Sequence, residues 1–378
     1  MQKPKILYFS HVDPAQPKIT GGGIRSVEIY KILQSCFDIH IIDTNFYNGS
    51  YLEKIIMEKD IKIHVHLVNI PNISYKLRLL LYMLKATLKG LKIQRQYKFD
   101  VIYSGEPIVI AVPAFLVGFI SKTPVIYMVY LEQILHDKSD SLYQKVKFKI
   151  VFNIIKSASA ILVINKTQKQ QLISLGINKN KIHIVKIGID TERFYPYETN
   201  KEYEGIFIGN LSDHKGIDTL IDAWKELVKH NSVARLIVVG GGNIEKYKKM
   251  VANKNLQKNI VFTGFIENDK IPDFLNKAKI FIFPSRAEAF GVVIGEAMAS
   301  GLPCVISDIP VLREIWGEVA ILAKPNDAID FANAILKLLT NEDLRQEYSM
   351  KCRKYIENFS WDRIAKKEME IIKQSIEK

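Results

Sequence analysis

Residues 280–303 read IFIFPSRAEAFGVVIGEAMASGLP. The run 280–283 is unbroken and apolar, as a central strand of a parallel sheet requires. Residues 284–290 form the loop at the C-terminal end of that strand. Gly291 opens a helix that ends at Ser300, with Gly301 as its left-handed cap and Pro303 preventing continuation. A helix N-terminus carries unpaired N–H groups and a partial positive charge. A diphosphate fits there, and Gly291 lets the backbone approach it closely. Glu288 precedes the helix and Glu296 lies nearly two turns inside it. At ~1.5 Å per helical residue the two carboxylates sit several ångströms apart, able to hold hydroxyls of two different sugars. A bare pair of glutamates eight apart also fits an ordinary core helix; the complete string is far more specific.

The same strand–loop–helix rhythm extends to both sides. Strand-like runs fall at 5–10, 39–42, 64–68, 101–103, 125–129, 160–164 and 182–185, then at 205–208, 235–239, 260–263, 280–283, 303–307 and 319–322. Helical patterns lie between most of them, beginning with 24–35. The tail 330–378 reads as helices, with Ser360 suited to cap the last. Short apolar strands alternating with helices mean a parallel sheet covered on both faces. Residues 186–203 break the rhythm with Gly188, Pro196 and a polar run, which places a linker there. A chain of 378 residues exceeds one comfortable core. The expected fold class is therefore α/β, two doubly wound Rossmann-like domains facing a cleft, with ligands at the C-terminal ends of the strands.

Three more segments bear on chemistry. Residues 208–216, IGNLSDHKG, follow a strand and precede a helix at 217–228. A lysine at that junction, Lys215, could neutralise a diphosphate leaving group, whereas a lone Lys-Gly is more often a solvated surface pair. Gly21-Gly22-Gly23-Ile24-Arg25 falls in the loop after the first strand. Repeated glycines there serve either a flexible turn or close backbone approach to a ligand. The strand within 124–132, PVIYMVYLE, ends near Tyr130; His136 follows six residues on and is expected at the surface rather than in the cleft.

The string from Glu288 to Pro303 resembles glycosyltransferase family 4, the group 1 transferases of GT-B fold, whose motif runs E-x-F-G-x-x-x-x-E-A-M-A-x-G-x-P. Glu288, Phe290, Gly291, Glu296, Ala297, Met298, Ala299, Gly301 and Pro303 all match. The resemblance implies a retaining transferase that moves a sugar from a UDP- or GDP-sugar to a saccharide or lipid-linked acceptor, in surface polysaccharide or glycolipid assembly. It implies an acceptor-binding domain at 1–187, a donor-binding domain at 188–358, and a C-terminal helix at 359–378 that crosses back to the first domain. It implies that Glu296 binds the ribose hydroxyls and Glu288 the donor sugar. The backbone of Ala289, Phe290, Gly291 and Val292 then holds phosphate or sugar oxygens. Lys215 faces the diphosphate, Gly22 and Gly23 lie near the donor phosphate, and Phe265 and Ile266 lie beside the base. Weaker likeness runs through GIDTERF at 188–194, LIVVGGG at 236–242 and VFTGF at 261–265.

Two positions depart from the family pattern. Asn210 stands where relatives carry an arginine, with Arg286 a conceivable replacement cation. Tyr130 stands where many carry a histidine near the transferred sugar. A tyrosine donates a hydrogen bond but does not exchange protons at neutral pH as histidine does. Tyr130 joins Glu288 and Lys215 as the catalytic candidates. These departures leave open an impaired binding or partner subunit on the same fold, and a GT-B epimerase is the nearer enzymatic rival. A Rossmann dehydrogenase is disfavoured, because no G-x-G-x-x-G follows the first strand.

No Asp-x-Asp occurs in the sequence, so neither a metal nor a cofactor beyond the donor is expected. The three cysteines have no metal-ligand spacing and suit a reducing compartment. The N-terminus lacks a signal-peptide pattern, and the apolar run 108–120 is too short to span a bilayer; a cytoplasmic protein is expected. The net charge of +13 belongs to the first half: residues 1–195 carry 27 Lys+Arg and 14 Asp+Glu, residues 196–378 carry 26 of each. Residues 76–98 and 141–189 hold no acidic residue. No basic–aromatic ladder supports nucleic-acid binding. Two readings of the excess remain, a solvated face and peripheral attachment to an anionic membrane, because 75–97 and 141–155 mix lysines with leucine, isoleucine and aromatics.

Overall fold

The computed structural model describes residues 3–9, 21–45, 61–71, 73–105, 110–129 and 142–377. Contacts divide the chain into two compact units, Met1–Lys186 with Trp361–Lys378, and Ile187–Ser360.

The first unit contains β1 (Lys5–Phe9), α1 (Gly21–Leu33), β2 (Asp38–Asn45), β3 (His64–Asn69), α2 (Tyr75–Tyr97), β4 (Val101–Ser104), α3 (Ala111–Ser121), β5 (Val125–Met128), α4 (Leu142–Lys156), β6 (Ala160–Val163), α5 (Lys166–Ser174) and β7 (Ile182–Ile184). Its seven strands are parallel, in the order β3-β2-β1-β4-β5-β6-β7. The central strands β4, β5 and β6 are buried at every residue, which is why they read as unbroken apolar runs rather than as an alternating pattern. Leu7, Phe9, Ile102, Tyr127 and Ile161 join Ala86 and Ile93 of α2, Ala114 and Val117 of α3, and Val151 and Ile154 of α4 in one core cluster. Each such aliphatic side chain withdrawn from water contributes about 1.5–3 kcal/mol.

The second unit contains β8 (Tyr203–Ile208), α6 (Ile217–Leu227), β9 (Leu236–Val239), α7 (Ile244–Asn253), β10 (Ile260–Gly264), α8 (Ile271–Asn276), β11 (Ala278–Phe283), α9 (Val292–Ala299), β12 (Cys304–Ser307), α10 (Pro310–Trp316), β13 (Ile321–Ala323), α11 (Ala328–Thr340) and α12 (Glu342–Ile356). Its parallel sheet runs β10-β9-β8-β11-β12-β13. On α6, Ile217, Leu220, Ile221, Trp224 and Leu227 are buried, the i, i+3, i+4, i+7 stripe of a helix lying on a core. Asn243, Asp327 and Asn341 cap α7, α11 and α12 through their side-chain oxygens, each such cap contributing about 1 kcal/mol. The last helix, α13 (Trp361–Ile376), follows Ser360 and belongs to the first unit, packing against α1.

Two features differ from the sequence expectation. Gly21, Gly22 and Gly23 form the first turn of α1 instead of a loop. A glycine triplet costs helix stability in isolation, but the tertiary packing of Val27, Ile29, Tyr30 and Leu33, all buried, sets where this helix begins. Second, α9 starts at Val292, with Gly291 as its cap rather than its first residue.

Among the described residues, no helix is long and apolar enough to cross a membrane. The outer faces of α2 and α3 nonetheless carry exposed apolar side chains. Leu77, Leu80, Leu84 and Leu88 are exposed along one stripe of α2, and Phe119 of α3 is 74% exposed. The three cysteines are free thiols.

Candidate active site

In the second sheet, β8 and β11 are neighbours, and the order reverses between them. Ligands of doubly wound sheets sit at such a reversal, outside the C-terminal ends of the strands. The loops leaving β8 and β11 are stitched together there. The Arg286 N–H donates to the His214 carbonyl at 2.7 Å, and Ser285 Oγ donates to the same oxygen at 3.2 Å. Gly216 adopts φ +69° between the two loops, and a Cβ at that position would lie 2.1 Å from the Pro284 carbonyl oxygen. Only glycine allows that approach.

The consequence is that Lys215 and Glu288, 73 residues apart, form an ion pair. Lys215 Nζ also lies 5.2 Å from the centre of the Phe283 ring, a cation–π contact that helps hold the ammonium in place. Gly291 adopts φ +78° ahead of α9, so the first N–H groups of that helix point out of its end. A cation and a helix N-terminus therefore belong to adjoining loops of one sheet edge, which is the arrangement that stabilises a departing diphosphate.

Glu296 lies in the second turn of α9. Burial pushes its carboxyl up to about 7, opposed by Arg193 and reinforced by Asp190. Phe265 follows β10 and is exposed, with Ile266 partly covered beside it. Asn210 follows β8 and is also exposed. The candidates thus come from the C-terminal ends of β10, β8 and β11 along one edge of one parallel sheet. Ala289 and Val292 are partly exposed around Gly291.

Phe290 behaves differently from a ligand-facing residue. Its ring is buried edge-on against Trp316 at 5.4 Å, and its carbonyl accepts from Trp316 Nε1 at 2.8 Å. Its role in the motif is to anchor the loop. Arg286 is also committed elsewhere. Its guanidinium donates to Asp218 at 2.7 and 2.8 Å, to Thr219 Oγ1 at 3.1 Å, and to Asn326 and the Asp213 carbonyl. It braces the two loops, with its guanidinium nitrogens engaged by these partners.

Residues 189–357 match the family described as Glycosyl transferases group 1, and residues 21–193 match Glycosyltransferase Family 4. The chain belongs to the group 1 glycosyltransferases. An uncharacterized glycosyltransferase of Methanocaldococcus jannaschii is 28% identical over 350 residues, 90% of this chain and 92% of that protein. Mannosylfructose-phosphate synthase of Agrobacterium fabrum is 29% identical over 264 residues, 62% of this chain and 58% of that protein. HepE of Anabaena, solved in complex with UDP-glucose, aligns over 98% of this chain and 99% of its own, with a TM-score of 0.74 at 17% identity. The two Rossmann-like sheets are those of the GT-B fold.

In the other unit of this group 1 glycosyltransferase, the sheet order reverses between β1 and β4. There Arg25 of α1 and Glu368 of α13 form a buried ion pair. They line a small cavity with Tyr8, Tyr30 and Tyr103, with space for about one water molecule among the described residues. Tyr8 stacks obliquely on Tyr103 with ring centres 4.6 Å apart, and burial pushes its hydroxyl well above the usual range. Gly22 and Gly23 lie one turn before Arg25 on α1. Tyr130 and His136 lie outside the described residues.

Proposed function

We propose that this glycosyltransferase moves a sugar from a UDP- or GDP-sugar to a saccharide or lipid-linked acceptor, with retention at the anomeric carbon. The observation that carries the reading is the meeting of Lys215 and Glu288 beside the capped start of α9. Lys215 and the N–H groups of α9 stabilise the leaving diphosphate. Glu288 orders hydroxyls of the transferred sugar, and Glu296 those of the ribose. The positive charge the leaving group needs comes from the protein's own groups, so the proposal includes no metal. Retention follows from the family resemblance. A Glu288 carboxylate held against Lys215 is suited to accepting hydroxyl hydrogen bonds rather than to attacking the sugar. The UDP-glucose bound by HepE supports a nucleotide-sugar donor here. Surface polysaccharide or glycolipid assembly is the setting this chemistry suits.

Thermal-shift screening of UDP- and GDP-sugars, followed by transfer assays with the hits, tests the reading. Binding strengthens as pH rises from about 6 to about 8, because Glu296 titrates near 7 and its ionised form is the better acceptor for hydroxyls. Each pH unit below that value costs up to roughly tenfold in affinity. The diphosphate of a nucleotide sugar lacks the terminal-phosphate ionisation near pH ~6, so the change reports on the protein. A flat profile removes Glu296 from the donor site; no donor binding, with no transfer, favours the impaired partner subunit.

The exposed face of α2, α3 and α4 supports a second element of the reading, peripheral attachment at the inner face of the cell membrane. Exposed Lys76, Lys85, Lys92, Lys122 and Lys149 accompany the exposed leucines and Phe119. Each such lysine near an anionic bilayer is worth about 1 kcal/mol. The protein is expected to float with vesicles containing phosphatidylglycerol at low salt and not with phosphatidylcholine alone. Leu80→Glu with Leu84→Glu abolishes flotation. Absence of flotation with the anionic vesicles leaves the lysines as a solvated face.

A further inference from the structure

At the starts of β2 and β3 the sequence reads Asp38-Ile39-His40 and His64-Val65-His66. Side chains alternate across a strand, so Asp38 and His40 share one face of β2, and His64 and His66 share one face of β3. The two strands are parallel, and His40 is the register partner of His64. Pairing therefore gathers one carboxylate and three imidazoles on a single face at the edge of the first sheet. These are the N-terminal ends of the strands, opposite the end where a Rossmann-like sheet binds its ligands.

We propose that Asp38, His40 and His64 bind a divalent transition-metal ion of the zinc class, with His66 orienting His40. Asp38 Oδ1 lies 3.5 Å from His40 Nε2 and 3.5 Å from His64 Nε2. All three ligand atoms lie within 4.8 Å of one another. Tetrahedral zinc, with bonds of ~2.0–2.1 Å, places its ligand atoms about 3.3–3.4 Å apart, so small side-chain rotations close the site.

A bound ion would set the tautomer of His40 together with His66 on the other side of the ring. His40 Nδ1 lies 2.9 Å from His66 Nε2. With the His40 Nδ1–H donated there, the lone pair of Nε2 points toward Asp38, as a metal-binding histidine requires. That Nε2 is the telling atom. His40 is 1% exposed, and its buried Nε2 makes no well-formed hydrogen bond among the described residues, with the Asp38 carboxylate at 3.5 Å. A buried nitrogen without a good partner costs up to roughly 1–3 kcal/mol in folding stability, and a bound ion would relieve that cost. The ring cannot turn away readily, because Tyr97 and Phe99 pack on it at 4.4 and 4.9 Å.

The remaining ligands face outward. His64 is 63% exposed and Asp38 33%, which leaves an entry path and a fourth position for water. Two imidazoles and a carboxylate select zinc, cobalt, nickel or copper over magnesium or calcium. An ion here ties the edge strand β3 to β2 across the connection 46–63 and pins the register of the sheet edge.

The test uses the full chain stripped with a chelator and dialysed. Cobalt(II) is expected to bind at one ion per chain with the intense visible absorption of a four-coordinate site. Zinc then displaces it and raises the melting temperature. His64→Ala and Asp38→Asn, both at accessible positions, are expected to melt as the stripped wild-type chain does and to lose at least tenfold in cobalt affinity. His66→Gln weakens binding by roughly 10–100-fold by loosening the hold on the His40 ring. The proposal is overturned if the stripped chain takes up no stoichiometric cobalt or zinc. It is equally overturned if His64→Ala and Asp38→Asn bind as tightly as the wild type, which would place the ion elsewhere.

Discussion

Lys215→Ala lowers sugar transfer by roughly 10²–10³-fold while the second unit stays folded, and Glu288→Ala does the same by a different route. The two side chains are paired in the structure, yet they have opposite electrostatic relations to a diphosphate. Lys215 attracts it; the Glu288 carboxylate repels it unless the lysine or a sugar hydroxyl engages that charge. Removing Lys215 therefore weakens a bare nucleoside diphosphate and the nucleotide sugar alike. Removing Glu288 leaves the bare diphosphate bound as well or better, but loses the sugar contact that the transition state uses. Glu288→Gln keeps a hydrogen-bond acceptor without the charge and falls between wild type and alanine. Binding of UDP and GDP by calorimetry, set against transfer rates, separates these outcomes. The pair is partly buried, so either substitution costs no more than about 2 kcal/mol of stability, and circular dichroism confirms the fold. Near-normal turnover in a folded Glu288→Ala protein would remove Glu288 from the site.

How much of this was legible in the sequence depends on the range of the interaction involved. The strands and their order of appearance could be read because a central parallel strand is buried on both faces and carries an unbroken apolar run, as AILV at β6 and LIVV at β9 do. The loop and helix around Gly291 could be read because glycine, a short helix and a following Gly-x-Pro punctuate the chain locally. Gly21 to Gly23 misled, since propensity argues for a loop while the burial of Val27 to Leu33 fixes a helix. The bracing by Arg286 is not legible locally, because its partners Asp218 and Asn326 lie 68 and 40 residues away. The Asp38–His40–His64 cluster has a partial sequence signal. Two Asp/His-x-His triplets in neighbouring strands put ligand-type side chains on one face, but only the register shows that His40 and His64 meet. Nothing local announces a pair such as Arg25 and Glu368, separated by 343 residues.

That pair carries the second large effect. Glu368→Ala is expected to destabilise the first unit by about 3–5 kcal/mol, since it removes a carboxylate that balances the buried Arg25 charge. Arg25→Met removes the charge that balances Glu368 in the same way. Both residues are almost completely buried, so water cannot compensate for a lost partner as it does at a surface bridge. The double replacement Arg25→Met with Glu368→Leu removes both charges and restores most of the lost stability, because an apolar pair of similar size avoids the desolvation cost of the ions. Hydrogen exchange at the amides of α13 is the suitable readout, as a chain of two units need not unfold in one step. In either single variant, protection along Trp361–Ile376 falls together with that of α1; in the double variant it returns. If Glu368→Ala leaves the protection of α13 unchanged, the ion pair is incidental, and the apolar face of Ile364, Ala365, Ile371 and Ile372 alone holds the terminal helix to the first sheet. If protection is lost in the single variants and returns in the double, the pair specifies where α13 docks. The family's returning C-terminal helix is then registered in this chain by one charge on α1, a single turn after the glycines that open it.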